Sequence, residues 1–269
     1  MTNAAISEML RKYDTSSPEG VENALKEISQ NIILCGLSRT DFFTKAAFYG
    51  ETALRILFGL DRFSEDIDFC LKDPDESFSF EPYFAAIERE LKAFGFTATF
   101  HVKDKKKNSK ISSAFVKQDT FNSFIAIGIH KGAQKGKTLK IKLEVDKTNP
   151  KGAEYELKIV KEPTIFSIQT LTEGSLFSGK LHAVIARSYV NRVKGRDFYD
   201  LLFYISRSTA PSLPYLEAKL YDSGHINEPL TAAKLKEILL TKIEATDFKK
   251  AKEDVVRFLG KDGSYKVDQ

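Results

Sequence analysis

Two aspartates, Asp66 and Asp68, stand two residues apart in the stretch Ser64-Glu65-Asp66-Ile67-Asp68-Phe69. Ile67 to Leu71 reads as a strand. Its period of two puts both carboxylates on one face, with Ile67 and Phe69 turned to the core. Carboxylates held side by side repel one another unless a cation lies between them. Oxygen ligands alone suit Mg²⁺, which also takes substrate phosphates. This is the ligand chemistry of a two-metal phosphoryl-transfer centre.

Other residues extend the pattern. Gly50 follows a short apolar run and opens a helix, where free N–H groups face an anion and the missing Cβ lets phosphate come close. A third carboxylate is expected from a neighbouring strand. Lys140-Ile141-Lys142-Leu143-Glu144-Val145-Asp146 alternates, with Lys142, Glu144 and Asp146 on one face. Glu144 is the first choice for the third ligand and Asp146 the second. Further on, Lys180 and Arg187 are seven apart on a helix and share a face, a pairing suited to the β- and γ-phosphates of a nucleotide. In the next helix Arg196 and Asp200 are i,i+4 neighbours. There Phe198, Leu201, Leu202 and Ile205 are expected to form the buried face, and Asp197 and Asp200 to orient the cations or contact an acceptor. A lone Asp-x-Asp reads as a solvated strand face, and the helical residues alone as an ordinary hairpin with surface ion pairs. The combination of Gly, helix, Asp-x-Asp strand and Lys-x-Glu strand is far more specific.

These residues need elements to position them. A helix is expected over 3–12. Ser17-Pro18-Glu19 marks a second, with an N-cap and proline at the first position, and a third covers Thr40 to Lys45. The spacing then predicts strand Ala46–Tyr49, helix Glu51–Phe58, strand Ile67–Leu71, helix Pro82–Phe94, and strands at Phe96–Val102, Ser113–Lys117, Phe124–His130, Thr138–Asp146 and Tyr155–Val160. From Ile168 the pattern is helical, with candidates over 172–190, 196–207, 213–221, 231–245 and 247–259. The expected fold class is α+β: a mixed sheet over 1–163, then a helical bundle over 164–269.

The 269 residues are 42% hydrophobic and 29% charged, which suits a globular chain. The net charge of +4 is too small to imply nucleic acid by itself. Two clusters, Lys103, Lys105, Lys106, Lys107 and Lys110, then Lys131, Lys135, Lys137, Lys140 and Lys142, are either solvated edges or an RNA footprint. Cys35 and Cys70 lie apart in apolar stretches and read as core residues in a reducing cytoplasm. No leader or membrane span is expected. Gly132-Ala133-Gln134-Lys135-Gly136-Lys137-Thr138 is one residue short of a phosphate-binding loop and leads into a strand. His101, His130, His182 and His225 are scattered, and His182 reads as structural.

Gly50 to Phe69, Lys142-Leu143-Glu144-Val145, Gly179 to Arg187 and Arg192 to Leu201 resemble, in order, the four motifs of AbiEii-type nucleotidyltransferases, toxins of type IV toxin–antitoxin systems. The motifs span 46–205, and none covers 210–269. The resemblance implies a polymerase β-like core and transfer of a nucleotide from an NTP to an acceptor, for some members the tRNA 3′ end. It implies Mg²⁺, two ions, at Asp66, Asp68 and Glu144. Catalytic roles extend to Lys180 and Asp200, and nucleotide binding to Gly50, Glu51, Thr52, Arg55, Ser64, Lys180, Arg187, Arg196 and Asp197. It also implies a separately encoded winged-helix antitoxin and no membrane partner. One position departs from the family: Glu51 stands where Gly or Ser is usual. A carboxylate there caps the helix but repels a triphosphate. It therefore keeps open a catalytically degenerate fold that binds RNA or protein. A third alternative retains the enzyme with a protein or small-molecule acceptor.

Overall fold

The structure, a computed structural model, describes residues 4–103, 110–119, 138–148, 151–189, 193–256 and 258–259. The expected strand Phe124–His130, the glycine-lysine loop at 132–137, and Lys105, Lys106, Lys107, Lys131, Lys135, Lys137, His130 and Arg192 lie outside the described residues.

The chain forms two compact units and passes between them more than once. The first comprises Met1–Leu57, Phe63–Asn149 and Leu157–Thr170; the second comprises Phe58–Arg62, Pro150–Glu156 and Leu171–Gln269.

The first unit is built on a mixed seven-stranded sheet. Its strands are β1 (Ala46–Tyr49), β2 (Ile67–Leu71), β3 (Ala98–Val102), β4 (Ile111–Asp119), β5 (Thr138–Asp146), β6 (Tyr155–Val160) and β7 (Phe166–Leu171), in the order β3-β4-β5-β2-β1-β7-β6. The helices are α1 (Ala4–Leu10), α2 (Pro18–Ser38), α3 (Phe42–Lys45), α4 (Gly50–Phe58) and α5 (Phe84–Ala93), the last preceded by a 3₁₀ turn at Glu81–Tyr83. Helix α2 starts where its cap predicts: Ser17 Oγ accepts the Gly20 N–H at 3.0 Å. It buries Val21, Leu25, Ile28, Ile32 and Ile33 and packs on α5 and β5. Leu139, Ile141, Leu143 and Val145 of β5 are buried, while Lys142, Glu144 and Asp146 point the other way. Phe69 packs edge-on against Phe42, 4.7 Å between centroids, and beside Phe48 and Phe80. The aromatic cluster thus anchors the strand from behind while Asp66 and Asp68 face outward.

One strand departs from the sequence reading. Phe166–Leu171, where a helical pattern was expected from Ile168, is β7, and it pairs parallel to β1 through Phe48 and Thr170. Thr170 Oγ1 donates to the Phe48 carbonyl at 2.7 Å. Six residues are too few to separate the two periods; the unpaired edge of β1 decides. The sheet runs to Leu171, past Pro163.

The second unit contains α6 (Glu173–Ala186), α7 (Gly195–Ser206), α8 (Leu213–Asp222), α9 (Ala232–Glu244) and α10 (Phe248–Val256). Helix α6 packs against α7, α8 and α9, and α7 also against α10. The α7–α10 approach is so close that a Cβ on Gly195 would sit 1.7 Å from the Ala251 carbonyl oxygen. The buried face of α7 holds only part of the expected set, Phe198 and Leu201. Leu202 and Ile205 are 62% and 56% exposed, whereas Asp197, Phe198, Asp200, Leu201 and Tyr204 are buried. The helix is rotated so that its two aspartates point inward, which is tolerable because cations meet them there.

Candidate active site

In the first unit, β1 and β2 run antiparallel with Tyr49 opposite Asp68, and β2 and β5 run parallel with Asp68 opposite Glu144. The register brings the strand residues expected to bind metal onto neighbouring strands. Gly50 closes the group from the β1 side. Its φ is +81°, and a Cβ there would lie 2.8 Å from Asp68 Oδ2, so glycine is required both for backbone and for space. Thr52 is fully buried. It hydrogen-bonds the Asp66 carbonyl and lies 2.9 Å from Ser64 Oγ. Gln30 Nε2 donates to the carbonyls of Ser64 and Glu65 at 3.1 and 3.2 Å. Thr52, Ser64 and Gln30 therefore fix the backbone leading into the aspartates. Arg55 donates to Glu27 and lies over Phe63, 4.1 Å from its centroid.

Burial and neighbouring carboxylates raise both aspartates. Burial, then the charges of Asp66, Glu51 and Glu144, push Asp68 up to about 8 against the counter-effect of Lys142. Asp66 is also raised, first by burial, with Lys142 opposing and Glu144, Glu65 and Glu51 adding. Lys142 Nζ lies 2.8 Å from Glu144 Oε2, and Ser113 Oγ donates to Glu144 Oε1 at 2.9 Å. Burial would lower the Lys142 ammonium, but Glu144, Asp66 and Asp68 raise it overall. Asp146 caps the following turn instead, accepting from Thr148 N–H at 3.0 Å.

Among the described residues no three His, Cys, Asp or Glu side chains stand close enough to enclose a metal ion by themselves. Magnesium does not need that, since it is commonly held by one or two carboxylates with water and phosphate completing the shell. The all-oxygen donor set, the raised aspartates and the glycine against Asp68 fit such an ion.

The second unit gathers another set. Asp197 and Asp200 are fully buried. Lys180 Nζ lies 3.1 Å from Asp197 Oδ1 and 2.7 Å from Asp200 Oδ2. Arg187 pairs with Asp197, and Tyr189 donates to the same carboxylate at 3.3 Å. Burial first, then Asp197, raises the Tyr189 phenol. Arg62, also fully buried, grips Asp200 from Nε and Nη2 at 2.7 and 2.6 Å. The sequence pairs Asp200 with Arg196, one turn away; in the structure Asp200 meets Arg62 and Lys180, and the Arg196 guanidinium lies 4.0 Å over Phe258. Sequence reasoning quoted Arg62 within a motif but gave it no role. Its only signal was its place just before the Asp-x-Asp strand. His182 hydrogen-bonds Ser223 at 2.9 Å and stands against His225. Burial, then Lys219, His225 and Arg187, press it down to about 4.

The first unit thus carries a mixed sheet with carboxylates on adjoining strands and a glycine turn pressed against one of them. Residues 32–268 match the family described as "Nucleotidyl transferase AbiEii toxin, Type IV TA system", and the chain belongs to that family. It is a nucleotidyltransferase of the toxin class of toxin–antitoxin systems, enzymes that use NTPs and divalent metals. No curated protein matches it. Among solved structures it is similar to MenT4, a nucleotidyltransferase toxin from Mycobacterium tuberculosis H37Rv, at 16% identity and a TM-score of 0.51, over 100% of this chain and 97% of that one. It is also similar to JHP933 from Helicobacter pylori, at 18% identity and a TM-score of 0.46, over 91% and 93%. A putative nucleotidyltransferase from H. pylori follows at 19% identity and a TM-score of 0.45, over 91% and 95%. No helix among the described residues is long and apolar enough to cross a membrane.

Proposed function

We propose that the protein uses Mg²⁺ to transfer a nucleoside monophosphate from an NTP to the 3′ end of tRNA in the cytoplasm. We propose further that a separately encoded winged-helix antitoxin of a type IV system opposes it. The observation that carries the reading is the register of Asp68 against Glu144, with Gly50 pressed on Asp68. Asp66 and Asp68 are the first metal ligands, and Glu144 is the third. The N–H groups at the start of α4 would face phosphate oxygens. Thr52 and Ser64 hold the aspartate strand in place. Lys180 and Arg187 serve as phosphate-binding cations whose head groups Asp197 and Asp200 fix. A bound divalent cation would ease deprotonation of the attacking hydroxyl and neutralise charge on the phosphate. The lysine clusters, of which Lys103, Lys110, Lys140 and Lys142 are described, support RNA as acceptor.

The test is incubation of the protein with Mg²⁺, each of four labelled NTPs and total tRNA, beside Asp68→Ala. Label on tRNA from the unmodified protein alone supports the reading and names the nucleotide. NTP binding with label on neither RNA nor another acceptor would instead favour a degenerate binding fold. The charge of Glu51 on both aspartates is the observation behind that outcome. Label on protein or a small molecule would move the acceptor.

A further inference from the structure

The reading above counts Lys142 only as one lysine of a cluster, yet it is built into the carboxylate group. It lies two residues before Glu144 on the same face of β5, and its ammonium is 2.8 Å from Glu144 Oε2. The other Glu144 oxygen takes the Ser113 hydroxyl at 2.9 Å. Both oxygens are thus engaged from within the same sheet, by neighbours on β4 and β5. Both side chains remain reachable, at 30% and 25% exposed. The charge of Lys142 also bears on Asp66 and Asp68, opposing Glu51 and Glu144.

We infer that Lys142 is an internal counter-ion that occupies Glu144 in the metal-free protein and must release it when a divalent cation loads. The inference rests on the metal reading of the site. A compact ammonium placed among carboxylates does part of the neutralising work of a metal ion. It keeps the unloaded sheet from carrying uncompensated negative charge, and it repels the incoming ion. Metal affinity is therefore set below what the carboxylates alone would give. Glu144 joins the ion only after exchanging one partner for another. Lys142 is a positioning residue in this scheme, acting through Glu144.

The experiment is Mn²⁺ titration of the full chain without nucleotide, followed by electron paramagnetic resonance of the free ion, with thermal denaturation in parallel. Lys142→Met should bind Mn²⁺ about tenfold more tightly, because a like charge a few ångströms from the ion is gone. It should also melt lower without metal and gain more from added Mn²⁺. Lys142→Arg, which keeps the charge, should bind Mn²⁺ as the unmodified protein does. A structural ion pair alone would lower stability in Lys142→Met without tightening metal binding. Equal or weaker Mn²⁺ affinity in Lys142→Met therefore overturns the inference. If Lys142→Met does not fold, Lys142→Gln takes its place with the same expectations. Asp68→Asn separates the two readings. Mn²⁺ bound by the unmodified protein, lost in Asp68→Asn and unchanged in Lys142→Met would sink the counter-ion alone. No Mn²⁺ binding by the unmodified protein would sink the metal reading and the counter-ion together.

Discussion

The two charged clusters of this protein are built in opposite ways. In the sheet unit, burial and the charges of Asp66, Glu51 and Glu144 drive Asp68 up to about 8, with the Lys142 ammonium opposing them. In the helical unit, two fully buried aspartates are met by Lys180, Arg187 and Arg62, with a phenol on one of them. The first cluster is partly open to solvent, with Lys142 and Glu144 30% and 25% exposed. The second is paired from within, its aspartates fully buried and only Arg187 among these cations reaching well into solvent, at 39% exposed. A protein gathers carboxylates of raised pKa where a cation from solution is to bind. It closes a buried network when side chains must be held in one arrangement.

The contrast is sharpest in activity. Asp68→Ala should reduce transfer to background while the protein stays folded, read by nucleotide incorporation and circular dichroism. In the helical unit the large effect falls on stability. Arg62→Leu leaves Asp200 buried without its bidentate partner and should cost about 3–5 kcal/mol, a fall in Tm of roughly 6–20 °C. The double variant Arg62→Leu/Asp200→Leu should lose less than the two single losses added. If Arg62→Leu melts like a surface substitution, the closed character of this cluster is wrong.

Gly50→Ala tests the open cluster by shape. With φ at +81° and Asp68 Oδ2 2.8 Å from the new Cβ, the variant should lose about 1–3 kcal/mol. Its Mn²⁺ affinity should fall with it; unchanged affinity would mean that Asp68 does not need its present position.

Effects on pH dependence have opposite signs in the two units. In metal-free protein the folded Asp68, at about 8 against an ordinary 3.8, keeps a proton the unfolded chain has lost. Stability should therefore fall as pH rises across that window and level off above it. Mg²⁺ or Asp68→Asn should flatten the slope. His182, at about 4 against an ordinary 6.5, stays neutral while the unfolded chain takes a proton. Its contribution is full above pH 6.5 and lost as pH falls toward 4, and His182→Gln should remove that acid-side loss. Thermal melts of both variants between pH 4 and 8 would show whether the two slopes belong to these residues.

The sequence by itself determined what depends on near neighbours. The Asp-x-Asp alternation, the alternating β5, the Ser17-Pro18 helix start and the glycine before α4 are local signals, and each element stands where they put it. The family motifs were legible for the same reason. Only the tertiary structure decided which strands lie side by side, and so that Glu144 is opposite Asp68 and that Lys142 grips it. It turned Phe166–Leu171 into a strand, because pairing with β1 outweighs a weak local pattern. It also turned Asp197 and Asp200 inward and left Leu202 and Ile205 in solvent. Periodicity can mark a helix face as apolar, but it cannot see a buried arginine more than a hundred residues away that makes the polar face the better one to bury.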